Sequence, residues 1–234
     1  MTGMFNLAVF TRIIAAAALA GVLAGMLLTA VQQIRVVPAL LQAEVHEKAA
    51  AAAIPSAHPE RSIGHDQEAR EPTNGMERAM LSGVSNVVLA VGFALLLGAT
   101  MVLGGGRPGW RSGLLWGLAG YAVFFVGPSL GLPPEVPGTE AARLIDRQIW
   151  WLMTVLFTAA GLALLVYARI GAARLAGVIL LVVPHLIGAP QAQFHGSTAP
   201  VEVVEAFVHA TVIANFVFWL SLGALLGFFY RKLA

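Results

Sequence analysis

The sequence predicts an all-α polytopic membrane protein of about six transmembrane helices, and three observations carry that prediction. Of 234 residues, 58% are apolar and 11% charged, with a mean hydropathy of +0.80, where a soluble domain carries about 25% charged residues. The apolar residues gather into six charge-free runs, each near the roughly 20 residues that cross a hydrocarbon core. The charges, in turn, sort between the connections. A net charge of +2 leaves no basic face for nucleic acid. With no cysteine there are no disulfides or thiolate ligands, so any metal site must use nitrogen and oxygen.

The first run, residues 13–30, follows Arg12 and leads into Gln32, Gln33 and Arg35 without a small-residue cleavage site. It reads as a retained anchor and not a signal peptide, making 1–37 an N-terminal transmembrane helix. Residues 38–80 form a polar loop on the outer, periplasmic side. Its alanine-rich part, 40–54, extends the first helix past a kink at Pro38, and 55–74 is polar, proline-bearing and flexible. Residues 81–234 hold a five-helix bundle with runs at 81–103, 112–132, 149–168, 175–190 and 206–229. The fifth of the six runs is short and interrupted by Pro184.

Six spans divide the connections between two sides. One side carries Arg12, Arg107, Arg111, Arg169, Arg174, Arg231 and Lys232 and no acid, while all twelve acids lie opposite with seven bases. Short basic connections face the cytoplasm, which places both termini there. Three spans share an outer end of the form Val-x-Pro-x-Leu, at Pro38, Pro128 and Pro184, and the other three a Gly-Ala-Leu-Leu-like core at Gly92, Gly161 and Gly223. The pattern reads either as three tandem two-helix hairpins or as coincidence in low-complexity apolar sequence. Each proline would free a backbone carbonyl near the outer surface.

Nucleotide hydrolysis is excluded, because neither Lys48 nor Lys232 sits in a phosphate-binding glycine loop. No Asp or Glu lies inside an apolar run, and neither a nucleophile elbow nor an HExxH is present. Side chains able to bind a cation concentrate in the last hairpin. Glu202, Glu205 and His209 fall at i, i+3 and i+7 on one helical face, with His185 at the end of span five and His195 in the connection close by in the topology. Carboxylate and imidazole at that spacing suit a first-row divalent metal. The alternative is that the glutamates complement a helix N-terminus and the histidines sit in the wet interface.

The loop histidines His46, His58 and His65, with Asp66, fit a solvated charged segment better than a metal site, and Met76 and Met80 fit packing. Arg147, Trp151, Thr154 and Thr158 form one polar stripe and Thr211, Asn215 and Trp219 another. The threonines fit helix packing and the tryptophans the interface, whereas the Asn215 amide, hard to satisfy in hydrocarbon, fits a path lining.

The segments GVLAGMLLTAVQQ (21–33), GLPPEVPGTEAARLIDRQIWW (131–151), TAAGLALL (158–165) and VPHLIGAPQ (183–191) resemble the CbtA family of proposed bacterial cobalt transporter subunits. The resemblance covers most of the chain outside 43–74. It implies Co2+ uptake across the bacterial inner membrane, together with a small single-span subunit of the CbtB type that carries a histidine-bearing tail. It highlights Glu135, Arg147, Gln148, Trp150, Trp151, His185, Gly188, Pro190 and Gln191. The family is usually described with one span fewer than the six counted here, and the short fifth run is where the two counts part.

The expected function is thus transport of a divalent metal, cobalt above all, with Co2+ as cargo and neither a resident cofactor nor enzymatic activity. His185, His209 and Glu205 are the expected ligands, with Glu202 and His195 beside them; Ni2+ or Zn2+ would suit the same donors. One alternative is a scaffold or assembly subunit that transports nothing alone, and another is a membrane-embedded enzyme.

Overall fold

A computed structural model of the chain describes residues 7–53, 75–105, 109–192 and 196–234. Much of the polar loop, with His58, His65 and Asp66, lies outside the described residues, as do Arg107 and His195. The described residues are helical with irregular connections and contain no strand. Helix α1 (Leu7–Val31) passes through a π-helical turn (Gln32–Val36) into α2 (Val37–Ala53), and α3 (Gly75–Leu103) follows. Helix α4 (Trp110–Tyr121) passes through a second π turn (Ala122–Val126) into the single turn α5 (Gly127–Ser129). Then come α6 (Leu144–Tyr167), α7 (Gly171–Ile187) and α8 (Val201–Lys232).

The π turns have a local cause. Proline has no N–H to donate, and in a regular helix its ring strikes the carbonyl four residues back. The residue before each proline instead donates to the carbonyl five residues back, Val37 to Gln32 and Gly127 to Ala122, and the widened turn makes room for the rings of Pro38 and Pro128. Helix one therefore continues past Pro38, as the sequence predicts. The third proline differs. Pro184 stays within α-helical geometry in the last turn of α7, and Gly188, at φ 85°, ends the helix just beyond Ile187.

Among the described residues five helices are long and apolar enough to cross a membrane: Leu7–Ala53, Gly75–Leu103, Trp110–Ser129, Leu144–Tyr167 and Val201–Lys232. The shorter α7 has 17 residues, the low end of the spanning range at roughly 25 Å. It nevertheless runs from one end of the bundle to the other: its Arg174 Nε donates to Ala168 just past the end of α6, and Pro184 meets Trp150 near the start of α6. The Arg12 guanidinium lies 5.4 Å from the Tyr230 ring centroid, so α1 begins where α8 ends, as six passes require. Every described acid falls at the opposite end, and the first turns of α3, α6 and α8 hold Glu77, Asp146 and Glu202, where the helix dipole favours negative charge.

Helices associate in lipid through close backbone approach, which small residues permit. Alanines and glycines of α1 pack on α3; a Cβ on Gly21 would stand 2.6 Å from the Val91 Cα. Between α4 and α8 the approach is closer. A Cβ on Gly113 would strike the Gly223 carbonyl oxygen, and one on Gly227 the carbonyl of Gly109. Gly161 and Gly177 join α6 to α7 in the same way. The main pairings are thus α1 with α3, α4 with α8, and α6 with α7, with α8 also against α1. Of the hairpins expected from the sequence, the first is packed along its length, and the third span meets α6 only through its π turn and α5. The long partner of α4 is instead α8, through glycine contacts that lie far apart in the chain. Of the three Gly-Ala-Leu-Leu-like glycines, Gly161 and Gly223 are contact points, and a Cβ on Gly92 would meet nothing within 4 Å. Trp219, expected at an interface, is buried at the centre, stacked on Phe124 and tilted against Phe93.

Candidate functional site

Prolines decide the architecture of the acid-bearing end. Pro133, Pro134 and Pro137 cannot propagate a helix, so residues 130–143 leave the membrane helices as an irregular cap. Three features pin it. Val136 is buried with Ala43 of α2 and Ala199 before α8. Backbone pairing joins it to the start of α8, with Glu140 N–H donating to Gly196 at 3.3 Å and Thr198 N–H to Gly138 at 3.2 Å. Gly138, at φ 77°, lies so close to Thr198 that a side chain would strike its hydroxyl.

The third attachment is the Glu135–Arg147 ion pair, 2.7 Å long with both side chains 28% exposed. It ties the cap to the first turns of α6. One turn further along α6 is Trp150, 4% exposed, whose Nε1–H donates to the Pro184 carbonyl at 3.2 Å. The Pro184 carbonyl also accepts the Gly188 N–H at 3.1 Å. Gly131 of the cap, with Ala189 beside it, closes on the Trp150 ring, and the His185 ring stands edge-on to it with centroids 6.0 Å apart.

Beside these contacts an open cleft of about 250 Å3 lies between the cap, the segment after α7 and the start of α8. Its polar side chains are Glu135, Thr139, Glu140, Gln191 and Ser197, set among Pro133, Pro134, Pro190, Val204 and Val208. An open groove carrying the Arg143–Asp146 pair adjoins it. Arg78 and Glu44 make a third ion pair at this end, 2.7 Å long. Glu47, Glu140, Glu202 and Glu205 form no ion pair among the described residues. Charge swap tests the Glu135–Arg147 attachment: Arg147→Glu is expected to lower the melting temperature of the purified protein by a few degrees, and Glu135→Arg with Arg147→Glu to restore most of it. Equal loss in the single and double variants would show that the pair does not hold the cap.

The residues expected to bind metal are dispersed. Glu202, Glu205 and His209 share the exposed side of α8, while Val204 and Val208 turn to the cleft. His185 is half-buried against Trp150 and does not line the cleft. Among the described residues no group of three or more His, Asp or Glu side chains could hold a metal ion. The polar stripes bond mostly to their own helices: Thr154 Oγ1 donates to Trp150 and Asn215 Nδ2 to the Thr211 carbonyl. Gln148 is exposed and Trp151 lies 6.4 Å from Phe124.

Two features escaped the sequence reading. Glu140 is the unpaired carboxylate in the cleft; its position becomes visible only when the cap pairs with residues 196–198. Asn86, inside the second apolar run, donates from Nδ2 to Thr29 Oγ1 at 3.0 Å and to Gln32 Oε1 at 2.7 Å, bonding α3 to α1 and its π turn. An amide within an apolar run was the signal, the same one read at Asn215.

Comparison with known proteins gives one family. The model of CbtA, described as a probable cobalt transporter subunit, matches residues 10–231, nearly the whole chain and both segments that build the cleft. No curated protein and no solved structure matches.

Proposed function

The chain belongs to the CbtA family of probable cobalt transporter subunits, and from that premise we propose that it is the integral-membrane subunit of a cobalt uptake system, carrying Co2+ across the bacterial inner membrane. The observation that carries the reading is the convergence, at one end of the bundle, of the two proline-rich segments 131–143 and 184–192 on a cleft holding the unpaired Glu140. In the proposed mechanism the acid-bearing end faces the periplasm and both termini the cytoplasm. Glu140, Glu202, Glu205 and Glu47 concentrate the cation there by long-range attraction. Imidazole and carboxylate donors, His185 foremost, with His209, Glu205, Glu202 and His195, replace part of its hydration shell.

Inward movement follows the membrane potential, worth about 2.3 kcal/mol per charge per 100 mV and roughly twice that for a divalent ion. Carbonyl oxygens at the proline breaks are the proposed relay for the first part of the way inward. The exposure of Glu202, Glu205 and His209 leaves their remaining coordination sites open to a second chain, and a small single-span CbtB-type subunit with a histidine-bearing tail is the proposed partner. No resident cofactor and no catalytic step enter this scheme.

A second reading is a membrane scaffold that transports nothing alone. The absence of a three-ligand group among the described residues favours it. Accumulation of radioactive cobalt separates the two, in cells lacking other cobalt importers and expressing the chain with or without the small partner. Saturable uptake that falls several-fold with His185→Ala is the expected result. No uptake even with the partner present would leave the scaffold.

A further inference from the structure

The two ends of the bundle treat their cations differently. At the acid-bearing end three of the five described cations, Arg78, Arg143 and Arg147, meet a carboxylate at 2.7 to 2.8 Å, and Arg35 and Lys48 share that end with all the described acids. At the other end the described residues include Arg12, Arg111, Arg169, Arg174, Arg231 and Lys232 and no acid. Three of these cations rest on aromatic rings: the Arg12 guanidinium lies 5.4 Å from the Tyr230 centroid, that of Arg111 5.2 Å from Trp110, and Lys232 Nζ 5.9 Å from Phe228. A ring fixes the position of a cation without cancelling its charge. These side chains are oriented, yet their charge is uncompensated.

The packing gathers three of them at one junction. Close approach of Gly227 to Gly109 sets the last turns of α8 beside the start of α4, and the Arg231 side chain lies 4.0 Å from where a Cβ on Gly109 would stand. Arg111 follows two residues later, and Tyr230 brings in Arg12 from α1. Trp110 and Phe228 are about half exposed there. Cations from three helices with a half-exposed indole and phenyl ring among them match a phosphate joined to acyl chains.

We propose that the junction of α1, α4 and α8 at the basic end binds the headgroup of an anionic phospholipid through Arg12, Arg111 and Arg231. The test is native mass spectrometry of the full chain released from neutral detergent, titrated separately with phosphatidylglycerol, phosphatidylcholine and inorganic phosphate. Phosphatidylglycerol is expected to bind in preference to phosphatidylcholine, with Arg12→Gln and Arg231→Gln each weakening it roughly fivefold. Arg174→Gln, remote at the α6–α7 turn where its Nε bonds the Ala168 carbonyl, is expected to leave binding unchanged. Arg12→Lys and Arg231→Lys keep the charge and serve if the glutamine variants do not fold; they are expected to retain the preference for phosphatidylglycerol. Equal weakening by Arg174→Gln would overturn the site in favour of diffuse charge. So would equal binding of phosphatidylcholine, loss of the preference in the folded lysine variants, or inorganic phosphate binding as tightly as the lipid.

Discussion

Gly223→Leu is expected to eliminate the folded protein, whereas Gly92→Leu leaves it intact. The two glycines begin the same Gly-Ala-Leu-Leu-like pattern, but their surroundings are opposite. Any Cβ at Gly223 enters the Gly113 carbonyl and the backbone of Gly117, and no side-chain rearrangement can make room. Overpacking a core commonly costs about 1–3 kcal/mol, and a clash with backbone lies at or above the upper end. At Gly92 a Cβ meets nothing within 4 Å, and removing a helical glycine favours the helix by up to about 1 kcal/mol. Fluorescence-detected size-exclusion of a tagged protein, followed by thermal melting, measures both. Similar profiles for the two variants would mean that the α4–α8 contact does not govern assembly.

Trp150→Ala is expected to cost about 3–5 kcal/mol, the range for emptying a buried tryptophan site. Trp150 is the point where the cap, α6 and the end of α7 meet: Gly131, itself beside Ala189, lies on its ring, His185 against its edge, and its Nε1–H on Pro184. Trp150→Phe keeps an aromatic ring while removing the donor and part of the buried indole volume. Because Pro184 still accepts from Gly188, the lost hydrogen bond should cost about 1 kcal/mol, with a cavity cost smaller than that of alanine. The informative comparison is melting temperature against cobalt uptake. A phenylalanine variant that melts close to the wild type but transports less would tie the placement of His185 to function. An alanine variant as stable as the wild type would remove Trp150 from its structural role.

How much of this was legible in the sequence depended on the range of the interaction. Apolar runs report on the bilayer residue by residue, so the apolar helices and the separation of acids from bases between the two ends could be read directly. Pro38 and Pro128 announced local disturbances, and π turns stand there. Helix pairing was not legible, because Gly113 and Gly223 carry no mark that they touch each other rather than lipid. The cleft was half legible. Glu135, Arg147 and Gln191 stood out within distinctive segments, but Glu140 acquires its position through backbone pairing between 138–140 and 196–198, which no local pattern encodes. At α8, spacing correctly put Glu202, Glu205 and His209 on one face and could not tell that the face is exposed, since burial depends on which helix lies alongside.

The π turn at Gln32–Val36 also fixes how the chain can vary in length. A turn closed five residues back holds one residue more than an α-helical turn, and one residue is roughly 100° of rotation. Upstream, the small face of α1 is phased to α3; downstream, Ala39 and Ala43 are phased to be buried at the acid-bearing end, and Glu44 to reach Arg78. The extra residue is the phase difference between these two engagements. Deleting it would straighten the helix and leave one of the two faces pointing away from its partner, so this turn is a place where the sequence can change in kind but not in number.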